Sequence, residues 1–556
     1  MFNRMLPALL LLVVPNALLA NPQFQTEARR TYAARGIVVN SATGEAISGA
    51  LVQLYGARQH AVLTGPDGKF QFDGLPNSGF QLSAQKPGYF SPEQIRRYGA
   101  PLKSVNTDED RPVTLKLIPE GIVYGRITGD NGEPVGYMPV QILWERVENG
   151  KRTRENPRSI RTDEQGEFRQ AELQPGKYFV FVGPSSWPAS FPARLSQGGA
   201  RGYPGVFYPG VPDLSSATVI EITPGKHAEI NLSLSSQPFY RISGTVSGYG
   251  PEQSVSFEMF SASGQPIGAG IELDEARGTF RSSWVPAGVC TVIAGSQDPK
   301  TNQPRFATQR LNITSDVGGV HLALLPSALI PLNIRVEATR SDTPTDGRNM
   351  STFFGGFNQI HQQSSPARVV LTPQEHVFAY RQQQYSESFA DNDPTPAIRN
   401  IPAGVYSVEV APNGPYYVQS VRSGSADLLE QSLTVAPGGS NQPIEIVLRD
   451  DFATLDGSLT SDAESASATI IMFSSNSSAE SPQQRRNIVG VFTNKAPFHI
   501  PQVAPGEYKI LAVDNPDELE YGNPEIVRKY LSKARDVSLV PNQIAKVELE
   551  VVHVGD

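Results

Sequence analysis

The chain has 556 residues, a net charge of −8 and a single cysteine. Its length divides into about four to five domains, because single cores stop growing near about 250–300 residues. A mild acidic balance with no basic stripe excludes a nucleic-acid binder, one thiol excludes an internal disulfide, and 18% charged residues leave little room for long Glu/Lys-rich helices.

Residues 1–20 carry the three parts of a secretory leader. Arg4 supplies the positive region, Leu6–Val14 a short apolar core, and Ala17-Leu18-Leu19-Ala20 a small-residue end with cleavage expected after Ala20. The apolar run is too short for a permanent bilayer anchor, and no later segment approaches the length of a spanning helix. The expected location is therefore periplasmic or extracellular. Cys290 lies in the strand-like run Gly288-Val289-Cys290-Thr291-Val292-Ile293 and is expected to be a buried structural thiol.

Glycine (49) and proline (46) are spread along the chain as turn punctuation between short strands. In the first copy of a repeated pattern, Gly36-Ile37-Val38-Val39 opens a strand and Thr43-Gly44-Glu45 turns it. Ala50, Val52 and Leu54 then alternate with period two. Thr64-Gly65-Pro66-Asp67-Gly68-Lys69-Phe70 reads as an Asp-Gly hairpin, Gly74-Leu75-Pro76 and Gly79-Phe80 turn the chain, and Lys86-Pro87-Gly88-Tyr89 closes the unit. The second copy opens at Val123-Tyr124-Gly125-Arg126-Ile127, turns at Thr162-Asp163-Glu164-Gln165-Gly166 and closes at Leu173-Gln174-Pro175-Gly176-Lys177-Tyr178. The third opens at Ile242-Ser243-Gly244-Thr245-Val246 and closes at Val285-Pro286-Ala287-Gly288-Val289. The fourth closes at Ile401-Pro402-Ala403-Gly404-Val405-Tyr406; the fifth opens at Leu455-Asp456-Gly457 and closes at Val503-Ala504-Pro505-Gly506-Glu507-Tyr508. Each unit supplies about seven short strands, which suits a two-sheet sandwich.

The run Thr64 to Phe70, with Gly74-Leu75-Pro76 and Gly88-Tyr89, resembles the carboxypeptidase regulatory-like domain, a transthyretin-like sandwich also called CnaB-like. The second copy resembles it well, the later three mainly at their closing turns. The resemblance implies an all-β fold: a serial array of about five Greek-key sandwiches, at 30–118, 119–235, 236–326, 327–449 and 450–554, with one short helix in the last. It implies a module that accompanies a catalytic domain rather than being one, and by analogy with related sandwiches it implies carbohydrate binding.

Several segments depart from the simple module. Tyr203-Pro204-Gly205-Val206-Phe207-Tyr208-Pro209-Gly210 reads as a long aromatic loop, followed by closing strands. Residues 340–396 read as a polar insertion with a strand at Arg368-Val369-Val370-Leu371, and 476–484 as a polar loop. In Glu525–Leu531, Ile526, Val527, Tyr530 and Leu531 share one helical face, expected to pack over an end of the last sandwich.

Catalytic motifs are missing. None of the seven histidines is followed by the glutamate of a zinc-peptidase pair, and no nucleophile elbow or phosphate loop occurs. The opening strands of the first three copies lack the lysine of an isopeptide staple. Asp108-Glu109-Asp110 and Asp450-Asp451 read as solvated linkers, with loop calcium as the sharper alternative. Trp187, Tyr203, Phe207 and Tyr208 are the candidate ligand-binding residues, since flat exposed rings stack on sugars; the alternative is that they cap the second sandwich. Trp144 and Trp284 read as core. The expected protein is a non-catalytic, extracytoplasmic scaffold without cofactors or metal. Its expected partner is a polysaccharide or a cell-surface protein. The alternative is an accessory component of, or itself, a secreted carboxypeptidase-type metallopeptidase.

Overall fold

The computed structural model describes residues 32–554, except 96–101, 107–110, 149, 156–158, 184–193, 197–198, 251–252, 301–302, 340–364, 375–384, 391–392, 437–440, 461–467, 475–487, 490–496 and 522. The leader, Trp187, Asp108–Asp110, the 476–484 loop and most of the polar insertion lie outside the described residues. The remainder is a serial array of β-sandwiches, and the chain divides into two compact units at Glu120/Gly121.

The first unit holds one sandwich. Lys69–Leu75, Tyr32–Asn40, Val113–Pro119 and Tyr89–Phe90 form one sheet; His60–Leu63, Leu51–Tyr55, Gly79–Gln85 and Lys103–Asn106 form the other. Alternation sends Val52 and Leu54, Phe70 and Phe72, and Phe80, Leu82 and Ala84 into a single core. The Asp67-Gly68 segment is not a hairpin within one sheet. It carries the chain from His60–Leu63 in one layer to Lys69–Leu75 in the other. Thr64 explains why the crossover is rigid: its buried Oγ1 donates to the Ile47 carbonyl at 2.7 Å and accepts from the Ala50 N–H at 2.9 Å. Thr162 repeats this in the second module, donating to Val135 O and accepting from Met138 N.

The second unit holds four more cores in chain order. In the second module, Glu167–Leu173, Gly121–Thr128 and His227–Glu229 face a sheet built on Pro139–Glu148 and Gly176–Val182. In the third, Thr279–Ser282, Ile242–Ser247 and Val317–Ala323 face Val255–Ser261, Gly288–Gln297 and Pro304–Ile313. The fourth joins its layers into one nine-stranded path, because Tyr385–Ala390 pairs with Asp393–Ile401 on one side and Ala367–Pro373 on the other. The strand read at Arg368–Leu371 is part of Ala367–Pro373.

Superposing the strand order aligns the five closing turns on Leu75–Phe80, Leu173–Tyr178, Val285–Cys290, Ile401–Tyr406 and Val503–Tyr508. In the first copy the closing turn is thus 75–80, not Lys86–Tyr89. Tyr178, Tyr406 and Tyr508 each donate the phenol to a carbonyl four residues back, at 2.7, 2.8 and 2.7 Å, so each turn is a tyrosine corner. Phe80 and Cys290 take that position in the other two. Just before the turn, Gly74, Glu172, Asn400 and Gln502 have φ between 57° and 74°. Trp284 holds this place in the third module without a positive φ.

In all five modules the first and last strands are parallel neighbours. Tyr32–Asn40 pairs with Val113–Pro119, Gly121–Thr128 with His227–Glu229 and Leu232–Ser233, and Ile242–Ser247 with Val317–Ala323. Ala328–Glu337 pairs with Ile444–Arg449, and Ala453–Thr460 with Ile544–Val552.

In the fifth module the helix spans Pro524–Tyr530, capped by the Asn523 side chain accepting from Glu525 N. It covers the outer face of a sheet rather than an end of the sandwich. Ile471, Phe473, Leu511 and Val513 alternate away from the main core and pack with Val527, Ile526 and Tyr530. A helix with one apolar face needs a face to cover, and strand alternation supplies it.

Asp450 and Asp451 are buried, contrary to their reading as a solvated linker. Asp450 Oδ1 accepts from Thr339 N and Oγ1 at 2.7 and 2.8 Å. Asp451 accepts from Tyr417 Oη at 2.8 Å and pairs with Arg449 at 2.7 Å. Charges taken out of water must be satisfied, and these carboxylates spend theirs on tying the fourth module to the start of the fifth.

A second tie spans far more sequence. Arg152, on the outer hairpin of the second module, reaches Glu520 of the fifth at 3.1 Å and Glu145 at 3.3 Å, while Arg154 holds Glu145 at 2.9 Å. At the hairpin turn a β-carbon on Gly150 would lie 2.0 Å from the Tyr521 ring, so only glycine admits that ring. Arg152 is 45% exposed, which keeps the pair weak. A double-mutant cycle of Arg152→Ala and Glu520→Ala is expected to give a coupling of about 0.5 kcal/mol in thermal unfolding, shrinking as salt rises. Zero coupling at low salt would make the pair incidental.

Candidate binding cleft

The aromatic loop of the second module does not stand free. Arg194–Ser196 and Gly199–Gly202 form strands, and the latter pairs with the connecting strand Gln237–Tyr240, which pairs in turn with Val285–Pro286 of the third module. This four-stranded sheet spans the two modules and floors a cleft of about 690 Å³ between them.

Four rings line the cleft: Phe181, which is buried in the second module, and the more open Tyr203, Phe239 and Trp284. Tyr203 sits where the chain leaves Gly199–Gly202, and its phenol lies 3.4 Å from Asp130 Oδ1. A β-carbon on Gly129 would come within 2.2 Å of that phenol, so Gly129 makes room for it. The Phe239 ring packs on Gly202, again over a missing side chain. Trp284 is half-buried, with the Arg241 guanidinium 4.4 Å from its ring centroid. Arg201 is held by Ser236, with Nε donating to its Oγ at 3.1 Å. The Gln265 side-chain carbonyl lines the cleft as a buried acceptor with no hydrogen-bond partner among the described residues.

The four rings singled out in the sequence do not form one platform. Tyr203 is in the cleft. Phe207 is fully buried against Phe181, with centroids 4.9 Å apart, in a small apolar cluster with Leu143 and Phe179. Its place in a strand paired to Phe181 and Val182 turns the ring inward. Tyr208 is half-buried against the second core, its N–H donating to Val180 O. Trp187 lies outside the described residues. Trp144 is half-buried, stacked on Tyr178 with Arg146 over it.

Trp284 and Phe239 are the residues that sequence reasoning missed. Trp284 reads as core because its neighbours are strand-like. The signal that finds it is alignment of the closing turns, where Gly, Glu, Asn and Gln stand in the other four modules. A position that takes a glycine once and a polar residue three times does not face a core, so a tryptophan there is expected to be partly exposed, as Trp284 is.

Among the described residues no group of three or more His, Cys, Asp or Glu side chains could hold a metal ion. Two described histidines pair with a carboxylate, His499 with Asp456 at 2.7 Å and His553 with Asp514 at 2.6 Å, and His321 lies between the Thr245 and Ser247 hydroxyls at 2.9 and 3.5 Å. No helix among the described residues is long and apolar enough to cross a membrane.

Residues 33–117 match the family model of the carboxypeptidase regulatory-like domain. The resemblance read from Thr64–Phe70 and Gly88-Tyr89 is thus borne out over the first module. No curated protein matches the sequence. Among solved structures, the TIE protein of Bacillus anthracis is 14% identical with a TM-score of 0.17, covering 53% of this chain and 51% of its own. This chain therefore spans about half the length of that protein. The minor pilin of Streptococcus agalactiae is 14% identical (TM-score 0.21; 37% of this chain, 97% of its own). A shaft pilin mutant of Lactobacillus rhamnosus GG is 10% identical (TM-score 0.20; 40% and 100%). Scores this low do not transfer a function to this chain.

Proposed function

We propose that this protein is a non-catalytic, exported scaffold whose second and third modules hold a saccharide in the cleft between them. The observation that carries the reading is the ring set Tyr203, Phe239 and Trp284 on a floor that fixes the two modules to each other. Flat rings offer the apolar faces of a sugar a stacking surface, and the polar rim offers hydrogen bonds to its hydroxyls. The orphan Gln265 carbonyl supplies an acceptor that a ligand hydroxyl would satisfy. A site fixed by strand pairing loses little entropy on binding.

The test is a screen of the full chain on a glycan array and insoluble polysaccharides, with tryptophan fluorescence as the solution readout. Trp284→Ala is expected to weaken binding by at least about tenfold, as loss of a central aromatic anchor does. Trp187→Ala beside it tests the loop ring read from the sequence. Binding unaffected by Trp284→Ala removes the cleft from the reading; silence on every sugar leaves the scaffold role with a protein partner.

A further inference from the structure

We propose that the array is built to bear tension along its length, a function that rests on the scaffold reading but not on the saccharide. In each of the five modules the chain enters on one strand and leaves on its parallel neighbour. The entry and exit points therefore lie at opposite ends of one hydrogen-bonded ladder. Pulling the chain straight slides those two strands past each other, so the ladder bonds must break together. Had the two strands been antiparallel neighbours, the chain would enter and leave at the same end, and the ladder would open one bond at a time. A single module with this arrangement is unremarked chemistry; its recurrence in every module makes it a property of the whole chain.

The connections support the same reading. Only residues 450–452 separate Ile444–Arg449 from Ala453–Thr460, and Asp450 and Asp451 are themselves buried and bonded, so the joint holds no slack. Between the second and third modules the connecting segment is a strand, Gln237–Tyr240, paired on both sides. The modules are not equal. The fifth has seven directly paired residues in its terminal ladder, Thr454–Thr460, and the fourth six, Leu332–Glu337. The second has its ladder interrupted between His227–Glu229 and Leu232–Ser233. The third carries a register shift between Ile242 and Gly244, so the second and third are expected to yield before the fourth and fifth.

The experiment is single-molecule force spectroscopy on the full chain in a Cys290→Ala background, with paired cysteine handles on the fifth module. Handles from Thr454→Cys and Glu550→Cys lie at opposite ends of the ladder and load it in shear. Handles from Thr454→Cys and Asn542→Cys lie at the same end and unzip it. The shear geometry is expected to rupture at a force at least about twofold higher, since forced unfolding follows the barrier for the pulled direction. Equal or lower force in shear overturns the proposal. The full chain held only at its ends, without internal handles, guards against misfolded variants: it should give discrete ruptures, and smooth extension overturns the proposal. A chain that resists force yet binds no sugar keeps this function and loses the saccharide; one that binds sugar and extends freely does the reverse.

Discussion

Raising the pH from 9 to 12 is expected to destabilise the third module by about 3 kcal/mol and the fifth by about 2 kcal/mol. Burial pushes the Cys290 thiol from an ordinary 9.0 up to about 12, and burial pushes the Tyr508 phenol from 10.0 up to about 12. Burial also raises Tyr178 in the second module. Each group stays protonated in the folded module at a pH where the unfolded chain has lost its proton. Its contribution is therefore complete below the unfolded value and is lost as pH rises through the folded one. The window opens near pH 9 for Cys290 and near pH 10 for Tyr508. Native-state hydrogen exchange at stepped pH, read strand by strand, measures this for each module separately. Cys290→Ala is expected to cost some packing at pH 8 and to remove the alkaline loss from the third module alone. A third module that loses protection equally in that variant would place the alkaline sensitivity elsewhere.

Gly244→Ala is expected to cost the third module about 3 kcal/mol, the upper part of the range for inserting a methyl into a packed site. A β-carbon there would lie 1.9 Å from the Val320 carbonyl oxygen and 2.7 Å from its carbon, both backbone atoms of the paired last strand. A backbone cannot swing aside as a side chain can, so the terminal ladder must part. Gly36, Gly125 and Gly457 stand in the same place, at 2.0, 1.9 and 2.6 Å from Val113, Ile230 and Val547 oxygens. Gly270→Ala is the matched control. It has open space around it and no positive φ, and is expected to stay within about 0.5 kcal/mol of the parent. Exchange protection in Ile242–Ser247 checks both. Equal protection in the two variants would show that the last strand yields at Val320 more easily than its pairing implies.

These glycines mark how far the sequence could be read. That four of the five opening strands carry a glycine is visible in Gly36, Gly125, Gly244 and Gly457, and so is the alternation of Val52 with Leu54 that makes a sandwich. The reason for the glycine is not visible, because it depends on the residue opposite, about 80 to 100 positions later in a domain of ordinary size. The Asp67-Gly68 turn shows the same limit. Its positive φ is a local property and was legible, but whether the chain returns to the same sheet is decided by Thr64 reaching Ile47, a contact across the turn. The cleft was the least legible part. Tyr203 stood out as one aromatic among several, while Phe239 and Trp284 become site residues only when two modules meet. Asp450 and Asp451 failed for a related reason: adjacent acids resemble a solvated linker until Thr339, Tyr417 and Arg449, from other strands, are known to face them.

The pairing of Arg152 with Glu520 joins residues 368 positions apart in sequence through folded modules rather than loose chain. A flexible linker dilutes the second of two contacts to an effective concentration in the millimolar range at best, whereas stiff, correctly sized spacers keep it high. Partners so presented to each other need little intrinsic affinity, which accounts for a half-exposed ion pair and one ring over a glycine at this position. The same arithmetic sets a rule for neighbours: a second copy of the chain displaces the internal contact only where its own concentration exceeds that set by the modules. At lower concentrations each molecule satisfies its own hairpin and leaves its neighbours alone.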